Sequence, residues 1–155
     1  MKQSFETLFD RYSADVFRYV RRRTSINDVD DVVAEVFLTA WRRFNQIPEG
    51  FELPWLYRTA WNVLANLHRK HIDVPFDELP DEPFTDDVAA TVIADDQLRR
   101  VWAQLPLRDQ EVLRLSLWEG LDGRELAEAL GISVGGAGAA LFRARERFAK
   151  LMAEQ

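Results

Sequence analysis

Residues 54–71 interleave side chains that suit nucleic acid. Trp55, Tyr57 and Trp61 alternate with Arg58, Asn62, Asn66, His68, Arg69, Lys70 and His71. Aromatic rings can stack on exposed bases, each stack contributing about 1–3 kcal/mol, while cations hold the sugar–phosphate backbone. A base flipped out of its duplex can be captured in the same way. A helix so equipped can trap melted DNA. The plainer reading puts Trp55, Leu56, Trp61, Val63, Leu64 and Leu67 in a core. Trp55 and Leu56 fit that reading better, and Trp61 fits either. His68 and His71 are spaced i,i+3 without a carboxylate signature, so they do not read as a metal site.

A second group of residues suggests duplex binding. Gly131-Ile132-Ser133 links a short apolar-periodic stretch to a longer one. Glycine can take a left-handed turn without a Cβ penalty, and Ser133 can cap the helix that follows. Ala127 supplies the small residue that close helix approach needs. This is the layout of a helix-turn-helix, whose second helix enters the major groove. Spacing alone leaves open an ordinary αα-hairpin.

The elements that must carry these groups are helical. Phe5, Leu8, Phe9, Tyr12, Val16, Phe17 and Val20 recur at three and four residues, the period of a helix with one buried face. Asn27 and Asp28 offer N-caps for a second helix expected to bury Val29, Val32, Val33, Val36, Phe37, Ala40, Trp41 and Phe44. Its opposite face shows Asp30, Asp31, Glu35, Arg42 and Arg43. Pro54 suits the first turn of a third helix, expected to run to about His71. Further on, Asp95 or Asp96 can cap a helix carrying Leu98, Val101, Trp102 and Leu105, which Pro106 breaks. Val112, Leu113, Leu115, Leu117 and Trp118 mark the next, ending at Gly120. Asp122 can cap the short helix before Gly131, and the last helix reaches about Met152. No period-2 stretch competes. The fold class is all-α: two small helical domains joined by an acidic linker, with a helix-turn-helix in the C-terminal one. The domains are 1–71 and 95–155, and the linker is 72–94.

Composition narrows the function. The chain has 155 residues, a formal net charge of -6 and no cysteine. Disulfides, thiol nucleophiles and cysteine-bound metals are excluded. The acidic total argues against nucleic acid until it is divided. Residues 72–96 hold 9 acidic and no basic residues, whereas residues 1–71 carry +2 and residues 97–155 carry +1. Pro75, Pro80 and Pro83 lie in the acidic segment and disfavour helix there. No segment has the apolar length to span a membrane, and the N-terminus lacks the apolar run of a signal peptide. A cytoplasmic protein without membrane insertion is expected.

These strings together resemble a known family. Leu105-Pro106, Arg108-Asp109-Gln110-Glu111-Val112-Leu113, Glu119-Gly120-Leu121, Glu125 through Gly135, Leu141 and Arg143-Ala144-Arg145-Glu146-Arg147 are similar to region 4 of bacterial RNA polymerase sigma factors, above all the extracytoplasmic-function (ECF) type. Phe5–Tyr19 with Asp30 through Phe37 and Ala40-Trp41 resembles regions 2.1 and 2.2. Trp55 through Asn62 resembles regions 2.3 and 2.4. The match covers about 1–71 and 97–150, in the family's order.

The resemblance implies a transcription initiation factor with no catalytic residue, metal or cofactor. Its implied partners are core RNA polymerase, through the β′ clamp helices and the β flap, and promoter DNA. The 54–71 helix would recognise and open the minus-ten element. Asn62 and Asn66 would lie near a flipped base, Arg58, Arg69 and Lys70 would meet phosphates, and Trp61 stands where the family usually has a polar residue. Asp31, Glu35 and Arg42 would dock on the clamp helices, though by composition alone such a face is simply solvated. Ala34 replaces a glutamine common in the family. The linker would run through the polymerase near the active-centre cleft and RNA exit path. There its charge would occupy a basic channel, and its residues would reach roughly 75–80 Å if fully extended.

The resemblance weakens in the last helix. The family commonly has Thr, Lys and Arg after Ser-Val-Gly, but this chain has Gly135-Gly136-Ala137-Gly138-Ala139-Ala140. None of these side chains can hydrogen-bond a base edge. Ser133, Arg143, Arg145 and Arg147 remain for the minus-thirty-five region, with Lys150 beyond them. Binding there is expected to be weak, or to act mainly through backbone and shape. Alternatively, the small-residue surface packs against a protein such as an anti-sigma factor. Two other functions compete. A stand-alone helix-turn-helix regulator leaves the aromatic-basic helix and the acidic linker unexplained. A small enzyme lacks a nucleophile–base pair, a phosphate loop and a metal cluster.

Overall fold

The first helix starts where Ser4 closes it: its Oγ accepts the Thr7 N–H at 3.2 Å. This is α1, Phe5–Arg21. α2 follows at Ile26–Arg42, and a 3-10 turn at Phe44–Gln46 leads toward α3, Glu52–His68. The computed structural model describes residues 4–68 and 95–155. The His68 side chain, Arg69, Lys70, His71 and the 72–94 linker lie outside the described residues. The chain divides into two units, Met1–Asp73 and Val74–Gln155.

In the first unit α1, α2 and α3 pack pairwise against one another. Leu8, Val16, Val29, Val36, Leu56 and Ala60 are fully or almost fully buried between them. Burying each Val or Leu contributes about 1.5–3 kcal/mol. Two expectations for α2 fail. Its N-cap position is Ser25, not Asn27 or Asp28. Asp28 instead sits in the first turn, where its charge complements the helix dipole, and accepts a 3.1 Å hydrogen bond from Ser25 Oγ. Trp41, expected in the core, is 63% exposed, and Val33 and Phe44 are only half-buried. At about 100° per residue, Trp41 projects far from the line through Val29, Val32, Val36 and Ala40. Its ring edge rests on Phe5 at 5.3 Å. α3 begins two residues before Pro54, which occupies its first turn.

The second unit holds α4 (Asp96–Gln104), α5 (Leu107–Leu117), α6 (Gly123–Leu130) and α7 (Val134–Ala153). Asp95 caps α4, accepting the Leu98 N–H at 2.8 Å. Pro106 separates α4 from α5. α7 is the hub, packing on α4, α5 and α6. Asp122 stands at the N-cap position of α6, but its side chain makes no capping hydrogen bond.

α5 departs most from its sequence pattern. Asp109, Gln110, Glu111 and Arg114 are all buried. Gln110 Nε2 donates to the carbonyls of Trp102 and Leu105 at 3.0 and 3.1 Å. The Trp102 carbonyl also accepts the Leu105 N–H that closes α4, at 3.1 Å, so Gln110 adds a second donor there and ties the end of α4 to α5. Gln110 Oε1 accepts from Arg114 at 3.2 Å. Buried polar groups of this kind are tolerated because they are bonded.

Candidate nucleic-acid interface

α3 is held from beneath by a layered stack. The Tyr57 ring lies on Tyr19 of α1, with centroids 4.8 Å apart and planes 16° from parallel. Arg23 covers the other ring, its guanidinium 3.5 Å from the Tyr19 centroid, and donates to the Tyr19 carbonyl at 2.9 Å. All three are buried. Leu56, Ala60 and Leu64 complete the inner face of α3.

The outer face carries the predicted chemistry. Arg58, Asn62 and Asn66 are exposed at i, i+4 and i+8, one stripe along the helix. Trp61 lies beside that stripe and is half-buried. These four sequence-predicted residues therefore share one side of α3, while Arg69 and Lys70 lie outside the described residues. Trp55 is half-buried and Leu56 fully buried. Thr59 turns inward and its hydroxyl donates to the Trp55 carbonyl at 3.0 Å.

α2 presents a second surface. Asp31, Glu35 and Arg42 are all exposed along it, and Arg42 reaches Glu35 at 4.0 Å. So open a pair contributes little to stability, which leaves both charges available to a partner. Ala34, Leu38 and Trp41 are exposed on the same side. The hydrophobic period assigned Trp41 to the core and gave no weight to Leu38. The angular position of each on the helix is the signal that would have found them.

The third surface is the helix-turn-helix. Gly131 has φ +70°, the left-handed conformation that ends α6, and Ile132 N–H bonds back to the Ala127 carbonyl at 3.1 Å. Ser133 Oγ accepts the Gly136 N–H at 3.0 Å, which starts α7. The chain bends by 92° between the two helices, within the range for this motif. Ala137, Ala140 and Ala144 are the buried face of α7. A Cβ at Gly136 would stand 3.0 Å from Ser133 Oγ, so the cap favours glycine there. At Gly135 and Gly138 no described atom lies within 4 Å of such a Cβ.

The predicted phosphate ligands of α7 divide. Arg143 and Arg145 are exposed. Arg147 instead pairs with Asp109 of α5 at 2.9 Å, and the Asp109 side chain is buried. Arg147 thus ties α7 to α5. Ser133, expected at the same site, serves as the cap.

The comparisons with known proteins agree with this arrangement. A Sigma-70 region 2 model matches residues 8–72, and a Sigma-70 region 4 model matches residues 95–148. The sigma factor HrpL of Pseudomonas syringae is 33% identical over 135 residues, spanning 81% of this chain and 73% of HrpL. The chain belongs to the sigma-70 family of RNA polymerase sigma factors. Other relatives place it with the ECF type. The ECF sigma-E factor of Escherichia coli K12 is 29% identical over 161 residues, covering 94% of this chain and 84% of that protein. SigZ of Bacillus subtilis is 29% identical over 155 residues, covering 96% and 87%. The structure of CnrH in complex with the cytosolic domain of CnrY matches with a TM-score of 0.67 at 25% identity, over 97% of this chain and 88% of that one. As a sigma factor, the protein partners core RNA polymerase and promoter DNA in transcription initiation. Among its described residues, no single helix is long and apolar enough to cross a membrane.

Proposed function

We propose that this sigma factor divides promoter recognition between α3 and α7. α3 takes the minus-ten element after melting. Trp61 stacks on an unpaired base, Asn62 and Asn66 bond the edges of flipped or neighbouring bases, and Arg58 meets the backbone together with Arg69 and Lys70. α2 docks the factor on the β′ clamp helices through Asp31, Glu35 and Arg42. The α7 domain, next to the β flap, holds the minus-thirty-five duplex mainly through backbone contacts from Arg143 and Arg145. The protein acts in the cytoplasm, where its polymerase works. An anti-sigma factor fits as a further partner, since CnrH is known in complex with the cytosolic domain of CnrY.

One observation carries the reading. Amide, cationic and aromatic groups share the outer side of α3 while its inner side is locked into the core. A stand-alone duplex-binding regulator has no use for such a face. Promoter-library transcription with core polymerase tests the reading at large: absence of polymerase binding and of promoter-dependent transcripts would sink it. Asn62→Ala tests α3 specifically. It should slow open-complex formation while leaving polymerase affinity intact, and equal loss of both would contradict the assignment.

A further inference from the structure

Three arginines follow one another at the end of α1, and the structure separates them. Arg21 is exposed and Arg22 half-buried, but Arg23, just past the helix, is 7% exposed. A cation taken out of water costs stability unless it is bonded, and an apolar residue would fill such a space without that cost. What a guanidinium adds there is geometry: it is planar, lies flat on a ring and aims its N–H groups in fixed directions. Arg23 uses both properties on one residue. Its Nη1 donates to the Tyr19 carbonyl at 2.9 Å while its Cζ stands 3.5 Å from the Tyr19 ring centroid. The Tyr19 ring is thereby held against the backbone that carries it. Tyr57 lies nearly parallel on Tyr19, so the orientation is handed on from the end of α1 to α3. Tyr57 directly precedes Arg58 and stands four residues, about one helical turn, before Trp61.

We propose that Arg23 is a positioning residue for minus-ten capture, acting through Tyr19 and Tyr57 to fix the rotation of α3 about its own axis. The inference rests on the proposal that α3 takes the melted minus-ten element. Arg23 is too buried to meet DNA itself. Side chains on a helix surface ride about 5–6 Å from its axis, so a turn of roughly 10° carries them about 1 Å. A displacement of that size can cost up to about a hundredfold where groups must meet in a set geometry. Stacking on a base and bonding its edge are demands of that kind. Lysine keeps the charge of Arg23, but its ammonium is a point charge on a flexible stem and cannot lie flat on Tyr19.

The experiment uses holoenzyme assembled from core polymerase and the full chain. Wild type, Arg23→Lys, Trp61→Ala and the double variant are each titrated with a single-stranded minus-ten oligonucleotide, and their affinities for core polymerase are measured. Arg23→Lys should bind the strand about tenfold more weakly, inside that ceiling, at unchanged polymerase affinity. In the Trp61→Ala background the same substitution should cost about threefold or less, because the effects of coupled groups do not add. A merely structural Arg23 would behave otherwise. α2 packs on both α1 and α3, so a loosened unit would dock less well on polymerase, and the two losses would add. Tyr57→Phe keeps the stacked ring and should bind the strand as wild type does. Tyr57→Leu fills the space without a ring and should repeat the Arg23→Lys loss, so it decides the matter if Arg23→Lys does not fold. The inference is overturned if Arg23→Lys or a folded Tyr57→Leu binds the strand like wild type. It is also overturned if strand and polymerase affinities fall together, or if the Arg23→Lys loss is the same with and without Trp61. Those outcomes leave α3 on the minus-ten strand. Unchanged strand affinity in both Trp61→Ala and Asn62→Ala would instead remove α3 from that strand, and the inference with it.

Discussion

The outward faces of α3 and α7 contrast sharply. α3 exposes two amides and an arginine beside a half-buried tryptophan. α7 exposes glycine, alanine and a phenylalanine ahead of its arginines. The inward faces differ too. α3 is fixed by large rings, Tyr57 on Tyr19 under Arg23, whereas α7 packs closely through Ala137, Ala140 and Ala144. Under the proposed function, the difference gives one chain two modes of DNA binding. A face rich in directional groups suits unpaired bases, whose edges and ring faces are accessible. A face with little but cations and small apolar groups suits a duplex gripped by its backbone.

The contrast can be broken most severely at the stack. Tyr57→Ala removes a buried ring and should cost the N-terminal unit about 3–5 kcal/mol. Urea denaturation of the isolated chain would measure it, and a loss below about 1 kcal/mol would mean the stack does not hold α3. Trp61→Ala is next. It should weaken capture of a single-stranded minus-ten oligonucleotide by holoenzyme by about 1–3 kcal/mol, and the conservative Trp61→Phe, which keeps a stacking ring, should retain most of that affinity. Asp109→Asn loosens the tie to Arg147 and should destabilise the C-terminal unit by about 1–2 kcal/mol. Arg143→Ala should weaken duplex binding about equally across sequences and lower the salt-dependence slope by about one unit. The smallest effect is favourable. Gly138→Ala meets open space and should stabilise α7 by up to about 1 kcal/mol.

Much of this was legible in the sequence, for identifiable reasons. Helical period, the Ser133 cap and the Gly131 turn are local signals, and each appears where the residues imply it. Arg58, Asn62 and Asn66 are singled out by the family resemblance, and the helix sets them on one exposed stripe. What the residues alone hide depends on partners distant in sequence. Arg147, expected at phosphates, also pairs with Asp109, which α5 brings to it from 38 residues away. The burial of Gln110, Glu111 and Arg114 is invisible to hydrophobic periodicity, because bonded polar groups occupy core positions. Trp41 misled for another reason: its size suggested core, but its angle on α2 places it at the rim. Phe142 and Val134 are exposed on α7 although both are apolar, which hydrophobic periodicity does not signal.

The central claim is that α3 holds melted DNA while α7 holds duplex. Holoenzymes carrying Asn62→Ala or Arg143→Ala, each compared with wild type, can be titrated with a single-stranded minus-ten oligonucleotide and with a fully paired minus-thirty-five duplex. The account predicts that Asn62→Ala loses affinity for the single strand alone and that Arg143→Ala loses it for the duplex alone. Equal losses on both probes from either substitution would contradict the division.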